Sequence, residues 1–411
     1  MKKLLQFIFL LCSSVTFAQG TWTQKANFEG TKRADAVSFS IGTKGYIVTG
    51  QDADSLRSDF WEWDQATDTW TEKARFPGTA RSGASGFSIG TKGYIGTGLD
   101  ADTLRSDFWE WDQATDSWIQ KANFGGTARY FAVGFSIGDK GYIGTGNGFG
   151  PGEGNTKDFW EYDPTTDIWT QKTDFGGVDR LQATGFSIGQ KGYIIFGGDG
   201  QYGYYYTDFW EWDQMTDTWT EKNFIPAVHP EPTARLRPIS FVIGTKGYVG
   251  TGWYMCGLSC SLTCNDIWEW NQDTETWTAK ETIPELTRSS SVGFSIGDRG
   301  YIGIGYSSTS LINDLWEYCD DCTVNIDELD TNKSVSVFPN PASTSITLSV
   351  IEGLTLNTQL KIMNAQGQLV QQLSIVNYPL SIDISQLNPG LYYLTLQSNE
   401  SVATKKFEVI R

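Results

Sequence analysis

The chain has 411 residues, with 31 Lys and Arg against 48 Asp and Glu, a formal net charge of −17, 17 Trp and a single histidine, His229. That length provides for one large domain and a small one, each with a core of its own. The acidity argues against nucleic acid, whose phosphates need a basic face, and one histidine excludes multi-histidine metal sites.

Residues 1–18 read as a secretory signal peptide. Lys2 and Lys3 form the basic start, residues 4–12 the apolar stretch, and Thr16-Phe17-Ala18 a small-residue cleavage site. The apolar stretch is too short to span a bilayer and no later run approaches about 18 apolar residues, so no transmembrane segment is expected.

Trp22, Trp70, Trp118, Trp169, Trp219 and Trp277 then open near-copies of one unit, at periods of 48, 48, 51, 50 and 58 residues. Each unit runs W-T-x-K-x-x-F, then Arg, then F-S-I-G-x-K-G-Y-I-x-T-G, then D-F-W-E-W-D-x-x-T-D-T-W. Short β-branched and aromatic runs broken by Gly, Asp and Thr predict four strands per unit, and the period predicts a propeller or solenoid. Phe39 to Tyr46, and its counterpart in every unit, is seven residues, as is Trp63 to Trp70. These are the strand 1–2 and strand 3–4 hairpins, and they keep their length. The 2–3 loop varies instead (9, 9, 12, 11, 14 and 9 residues from its glycine to the Asp of D-F-W), as does the 4–1 crossing (11, except 16 in the fifth). In an antiparallel four-stranded blade those two connections share a face, which is therefore the expected working face. Strands 1 to 3 occur six times up to Tyr318, and the first copy of strand 4 (residues 21–28) precedes them all. The expected fold is all-β: a six-bladed propeller over residues 19–318, closed by its N-terminal strand, which removes unpaired edges.

Residues 21–318 resemble the kelch-repeat family, most plainly in Tyr162-Asp163-Pro164-Thr165-Thr166-Asp167-Ile168-Trp169. The family's double glycine after strand 2 is kept only as Gly197-Gly198, with Thr-Gly in four units and Ile304-Gly305 in the last. Kelch propellers include binding modules, glycan-acting enzymes and scaffolds, so the resemblance implies a fold and leaves function to the site.

All 17 Trp lie at or before Trp316. Residues 319–332 carry five acids and no Lys or Arg and read as an acidic linker. Residues 333–411 alternate apolar and polar residues in short runs (345–350, 359–363, 391–396, 406–410), predicting a small C-terminal β-sandwich. This tail is similar to the type A C-terminal sorting domain of type IX secretion, through Val337-Phe338-Pro339-Asn340-Pro341, Asn364-Ala365-Gln366-Gly367-Gln368, Asn388-Pro389-Gly390-Leu391-Tyr392 and Lys405-Lys406-Phe407. The resemblance implies the type IX machinery as a partner, with release from the cell or attachment to its outer surface.

Arg33, Arg81, Arg129, Arg180, Arg235 and Arg288 hold one position, six residues before the Phe of strand 1. They would form either a guanidinium ring for carboxylates or sugar acids, or a repeated ion pair with the Asp or Glu of D-F-W-E. Presence in every unit favours the ion pair. Phe149, Tyr202, Tyr204, Tyr205, Tyr206, Trp253 and Tyr254 lie in the elaborated loops and differ between units, which suits either recognition of sugar rings and protein partners or local packing. Asp52 and Asp54 with Asp59, and Asp100 and Asp102 with Asp107, admit Ca²⁺, although the EF-hand Gly and distal Glu are missing and a solvated polar loop is favoured. Cys256, Cys260, Cys264, Cys319 and Cys322 read as disulfide candidates of an exported chain, with a zinc site the alternative and one cysteine left over. His229, in the long fifth crossing, reads as a bystander.

The expected function is a secreted or surface-attached monomeric propeller that binds glycan or protein through its 2–3 and 4–1 loops, with no cofactor, no metal and no catalytic residue assigned. A carbohydrate-acting enzyme of sugar-acid mutarotase type is the alternative, because Arg and carboxylates could bind and move protons without histidine. A purely structural surface protein is the third reading.

Overall fold

Strand 1 of the first repeat shows why the chain folds as it does. In Val37–Ile41 the apolar side chains alternate to one side, so Val37, Phe39 and Ile41 are buried while Ser38 and Ser40 are only half-buried. In the computed structural model this strand pairs antiparallel with Lys44–Val48, placing Phe39 opposite Tyr46. Phe60–Asp64 adds next, with Tyr46 opposite Glu62, and Thr69–Lys73 completes the sheet with Trp63 opposite Trp70. The structure describes residues 20–148, 154–200, 203–226, 234–255, 261–284, 286–320, 335–350, 359–364, 369–374, 380–397 and 402–410. Among them, five four-stranded antiparallel sheets and a sixth, to which the short strand Arg288–Ser289 adds a fifth member, are built to this register. The last combines Val292–Ile296, Arg299–Ser307 and Leu311–Cys319 with the N-terminal strand Thr21–Lys25.

The sheets face one another as blades of a propeller, and the repeated glycine of K-G-Y sets their spacing. Phe39 of one blade lies on Gly93 of the next, where a methyl group would sit 2.3 Å from the ring. Phe294 of the last blade lies in the same way on Gly45 of the first, at 2.4 Å. Side chains larger than hydrogen would push neighbouring blades apart.

The backbone closes the ring a second time at its axis. Asp35, Gly83, Phe131, Gln182, Arg237 and Ser290, each two residues after a repeated arginine, all have positive φ, between 52° and 61°. Each N–H donates to the carbonyl of its counterpart in the preceding blade: Gly83 to Asp35 at 3.0 Å, Phe131 to Gly83 at 2.7 Å, Gln182 to Phe131 at 3.2 Å, Arg237 to Gln182 at 2.9 Å and Ser290 to Arg237 at 3.3 Å. Asp35 donates to Ser290 at 3.1 Å and completes the circle.

The structure also settles which glycine of Gly197-Gly198 is the repeated one. Gly197 (φ 90°) is equivalent to Gly50 (φ 97°), and the preceding residue, Thr49 or Phe196, is left-handed in both blades. Gly198 instead bridges to Leu181 as Gln51 does to Ala34. The departure from a double glycine therefore lies at the second residue and not, as the sequence alignment suggested, at the threonine.

Cys319 and Asp320, read from the sequence as the start of the linker, belong to the last blade. Cys319 is in its third strand and is disulfide-bonded. Asp320 is buried and holds Lys246 at 3.0 Å and Lys280 at 2.6 Å, partners that keep its carboxyl charged against the burial that works to raise it. Residues 321–334 lie outside the described set.

The C-terminal unit is a separate body. It has a three-stranded sheet (Val335–Phe338, Ser345–Val350, Leu380–Asp383) and a four-stranded one (Leu369–Ser374, Gln359–Asn364, Gly390–Gln397, Val402–Val409). Ile346, Leu348, Leu360, Ile362, Leu394 and Phe407 form the core that the two sheets share. Asn340 of the Phe-Pro-Asn-Pro motif ties down the last strand: its Nδ2 donates to the Lys406 carbonyl at 3.2 Å and its Oδ1 accepts from the Glu408 N–H at 2.9 Å.

Candidate ligand-binding face

The six repeated arginines do not form an open ring. Arg33, Arg81, Arg129, Arg180, Arg235 and Arg288 are each buried to 0–1 % exposure, and each makes a two-pronged ion pair with the Asp of D-F-W: Asp59, Asp107, Asp158, Asp208, Asp266 and Asp314. Arg129 shows the arrangement, with further bonds to the Thr156 hydroxyl at 2.7 Å and the Thr127 hydroxyl at 3.1 Å. Its Nε donates to the Thr127 carbonyl at 3.0 Å, Nη1 to the Thr145 carbonyl at 2.8 Å and to Asp158 at 2.7 Å, and Nη2 to Asp158 at 2.8 Å. The guanidinium also lies 4.9 Å from the Phe124 ring centre. Burial works to raise the Asp59, Asp107 and Asp158 carboxyls, but the facing guanidinium outweighs it and holds each below the ordinary carboxylate range. A ligand carboxylate finds no access to guanidinium groups buried to this degree. These arginines tie the start of strand 1 to the start of strand 3, and the ligand-binding role is corrected to a structural one.

The Asp-x-Asp loops are likewise satisfied internally. Asp52 is buried; its Oδ1 accepts from the N–H groups of Asp54 at 2.9 Å and Ser55 at 2.8 Å, and Oδ2 pairs with Arg57. Burial favours the neutral acid, yet these amides and Arg57 hold its pKa down to about 2. Asp100 repeats the arrangement with Arg105. Among the described residues no group of three or more His, Cys, Asp or Glu side chains could hold a metal ion.

The loop aromatics divide. Tyr254 is buried at 7 % exposure and so is not a contact residue, and Tyr206 lies under the Arg180 guanidinium at 4.5 Å, where it packs. Tyr204 is 65 % exposed. Tyr205 meets Trp253 edge to face, with centroids 5.8 Å apart. Phe149, Tyr202, Cys256, Cys260, Cys322 and His229 lie outside the described residues. Cys264 is buried in the fifth blade's 2–3 loop, where its N–H donates to the Gly252 carbonyl at 2.9 Å.

Trp253 leads to the feature that matters most. It lines a cleft of about 760 Å³ where the 2–3 loops of the fifth, sixth and first blades meet beside the axial ring. Leu262, Tyr306 and Leu311 extend the apolar wall, and Asp35, Arg237 and Gln51 stand among its polar groups. Tyr306 is 44 % exposed and Leu262 48 %. Arg237 spans the mouth of the axis: its Nη1 donates to Asp35 and to Ser290 Oγ, both at 3.1 Å, and the guanidinium lies 4.6 Å from the Phe131 ring centre. With the Gln182 amide oxygen turned toward it, Nε and Nη2 donate there at 3.0 Å each. One side chain of the fifth blade thus touches the first, third, fourth and sixth.

Sequence reasoning did not single out Arg237, Asp35, Tyr306 or Leu262. A signal for the first two was present. The position two after each repeated arginine reads Asp, Gly, Phe, Gln, Arg and Ser round the ring, changing in every blade while the arginine itself never does. That such residues as Phe131, Gln182 and Arg237 accept a left-handed backbone, at a cost of roughly 1–2 kcal/mol each, marks the ring as a place where the fold holds strain.

Residues 336–410 match the family described as the secretion system C-terminal sorting domain. The structure is similar to a solved one titled "Structure of YjhT", at 16 % identity and a TM-score of 0.60, covering 71 % of this chain and 96 % of that one. No curated protein matches. Among the described residues no helix is long and apolar enough to cross a membrane. The chain is a β-propeller carrying a type IX secretion sorting domain, which directs it to the extracellular space or the cell surface.

Proposed function

We propose that the exported propeller is a recognition module that binds a glycan in the cleft between its fifth, sixth and first blades. The observation that carries this reading is the cleft itself: about 760 Å³, with Trp253 and Tyr306 on its walls and neutral and paired polar groups at its base. Its size is that of sites for compact ligands, and aromatic faces beside convergent hydroxyls and amides suit sugar rings. A protein partner would need roughly 800 Å² of contact surface, well beyond one cleft. The strained ring and the variety of its side chains lie beside this cleft and nowhere near the uniform 1–2 and 3–4 turns.

The test is a glycan array probed with the purified mature protein. Trp253→Ala is expected to weaken the best hit at least about thirtyfold, the loss of about 2 kcal/mol typical of a central aromatic anchor. Met215→Ala, in an exposed 3–4 turn on the opposite face, is expected to leave it unchanged. Equal binding by all three proteins would remove the cleft from consideration. Export has its own check: truncation after residue 332 is expected to hold the protein in the periplasm, read by fractionation, and normal release without the tail would contradict the role of the sorting domain.

A further inference from the structure

We infer that the cleft takes an uncharged saccharide and that Asp35 reads its hydroxyls. This inference rests on the glycan reading above and narrows it.

The argument is one of charge. Among the described residues three charged side chains line the cleft, Asp35, Asp52 and Arg237, and each is already paired. Arg237 commits four of its five N–H groups to Asp35, Ser290 and Gln182. Asp52 is held by Arg57 and two backbone amides. An acidic sugar needs a free guanidinium or ammonium to replace the water stripped from its carboxylate or sulfate. With one Nη2 hydrogen left, Arg237 could grip an acidic group through two hydrogen bonds only by giving up Asp35, Ser290 or Gln182, and giving up Asp35 would leave that carboxylate, whose side chain is 12 % exposed, without its cation. The surrounding field points the same way, since a chain of net charge −17 repels polyanions at long range.

What remains on the cleft surface suits a neutral polyol. Gln51, Thr263, Ser308 and Ser310 offer uncharged donors and acceptors, and Trp253, Tyr306 and Leu262 offer apolar faces. Asp35 is placed between the two sets. Its Oδ2 accepts from Arg237, and its Oδ1 has no hydrogen bond to any described residue, so it can take a hydroxyl proton. A charge-assisted bond from a sugar hydroxyl to a carboxylate that is itself held in place is both strong and directional. Arg237 is then a positioning residue, which fixes the Asp35 carboxylate and blocks the channel mouth so that the ligand lies across the cleft.

The experiment is calorimetric titration of the mature protein with two sets of oligosaccharides, uncharged (gluco-, manno-, xylo- and galacto-) and acidic (uronate and sulfated), at low salt and at about 0.15 M ionic strength. An uncharged oligosaccharide is expected to bind best, with an affinity that changes less than about twofold between the two salts. Asp35→Asn and, separately, Tyr306→Ala are each expected to weaken it at least about tenfold. Because Asp35→Asn also loosens Arg237, Tyr306→Ala, at an exposed position, keeps the test valid if the first variant unfolds. A tightest ligand that is acidic, steeply salt-dependent and still dependent on Trp253 would overturn the inference while leaving the cleft as the glycan site. Binding of neither set would overturn both.

Discussion

Arg129→Met is expected to lower the stability of the propeller by about 3 kcal/mol, measured by denaturant unfolding of the purified mature protein. Removing one member of a buried ion pair costs roughly 3–5 kcal/mol, because the other charge stays behind without its partner. The lower end applies because the Asp158 side chain keeps 22 % exposure. In a domain of this size the loss corresponds to a fall in midpoint of about 6–12 °C. Arg129→Met with Asp158→Leu should recover part of it, since an apolar pair of similar volume removes the stranded carboxylate. A single variant as stable as the parent would return these arginines to the candidate ligand groups. The same pairs set the response to acid. Asp59, Asp107 and Asp158 have carboxyls lowered in the folded state, so the stability they contribute is fully present above the ordinary carboxylate range. It is lost as pH falls below about 4, through the folded-state values, and the Arg129→Met variant, with no cation to favour the charged Asp158, should show a shallower decline there than the parent.

These arginines also show where reading the sequence stops. Their repeated spacing was visible, and so was the repeat of the aspartate that meets them, because a residue that serves each blade recurs in each blade. The hairpins were legible for the same reason: a fixed interval of seven between Phe39 and Tyr46, or Trp63 and Trp70, can be met only by one register, and the structure has it. The site obeyed the opposite rule. Asp35, Phe131 and Arg237 are related by geometry and by nothing in their chemistry, so they appear as noise until the left-handed backbone turns all of them to the axis. Trp253 was found because it stands in an aromatic-rich connection, whereas Tyr306, near the end of the strand Arg299–Ser307 and before a connection of ordinary length, was not. Tyr206 was selected on the same grounds as Trp253 and proved to be packing for Arg180, since sequence cannot tell which face of a loop is covered. The double glycine was misplaced by one residue because Thr49 holds a left-handed conformation usually left to glycine.

Deletion of residues 21–28 is expected to be more damaging than any single substitution, since this segment joins the two ends of the ring. Thr21–Lys25 supplies the outer strand of the last blade in a five-residue antiparallel ladder, from Thr21 opposite Cys319 to Lys25 opposite Leu315. Trp22 packs on Tyr318 with ring centroids 4.9 Å apart, and its Nε1 donates to the Glu281 carbonyl at 3.0 Å. Four residues after Trp22, the chain has reached the first blade. The Ala26 N–H donates to Asp68 at 2.9 Å, the Ala26 carbonyl accepts from Trp70 at 3.1 Å, and Phe28 is buried against Trp61 and Trp70. Every other junction is made by continuous chain, as when Ala74 meets Asp116 and Trp118. Here the covalent link is replaced by pairing, so losing the segment opens the ring between its first and last blades and exposes the edge of Leu311–Cys319. Burial of Phe28 alone accounts for about 3–5 kcal/mol, and with Trp22 and the ladder the loss should exceed about 5 kcal/mol, a fall of more than roughly 10 °C in the unfolding midpoint. The exposed edge should also make the truncated protein associate at concentrations where the parent is monodisperse, which light scattering would detect. Phe28→Ala separates the two effects: it should lose the stability of the buried ring yet stay monodisperse, because the strand that covers the edge is still there. An unchanged midpoint after the deletion would mean that the axial circle of hydrogen bonds from Asp35 to Ser290 holds the blades together unaided.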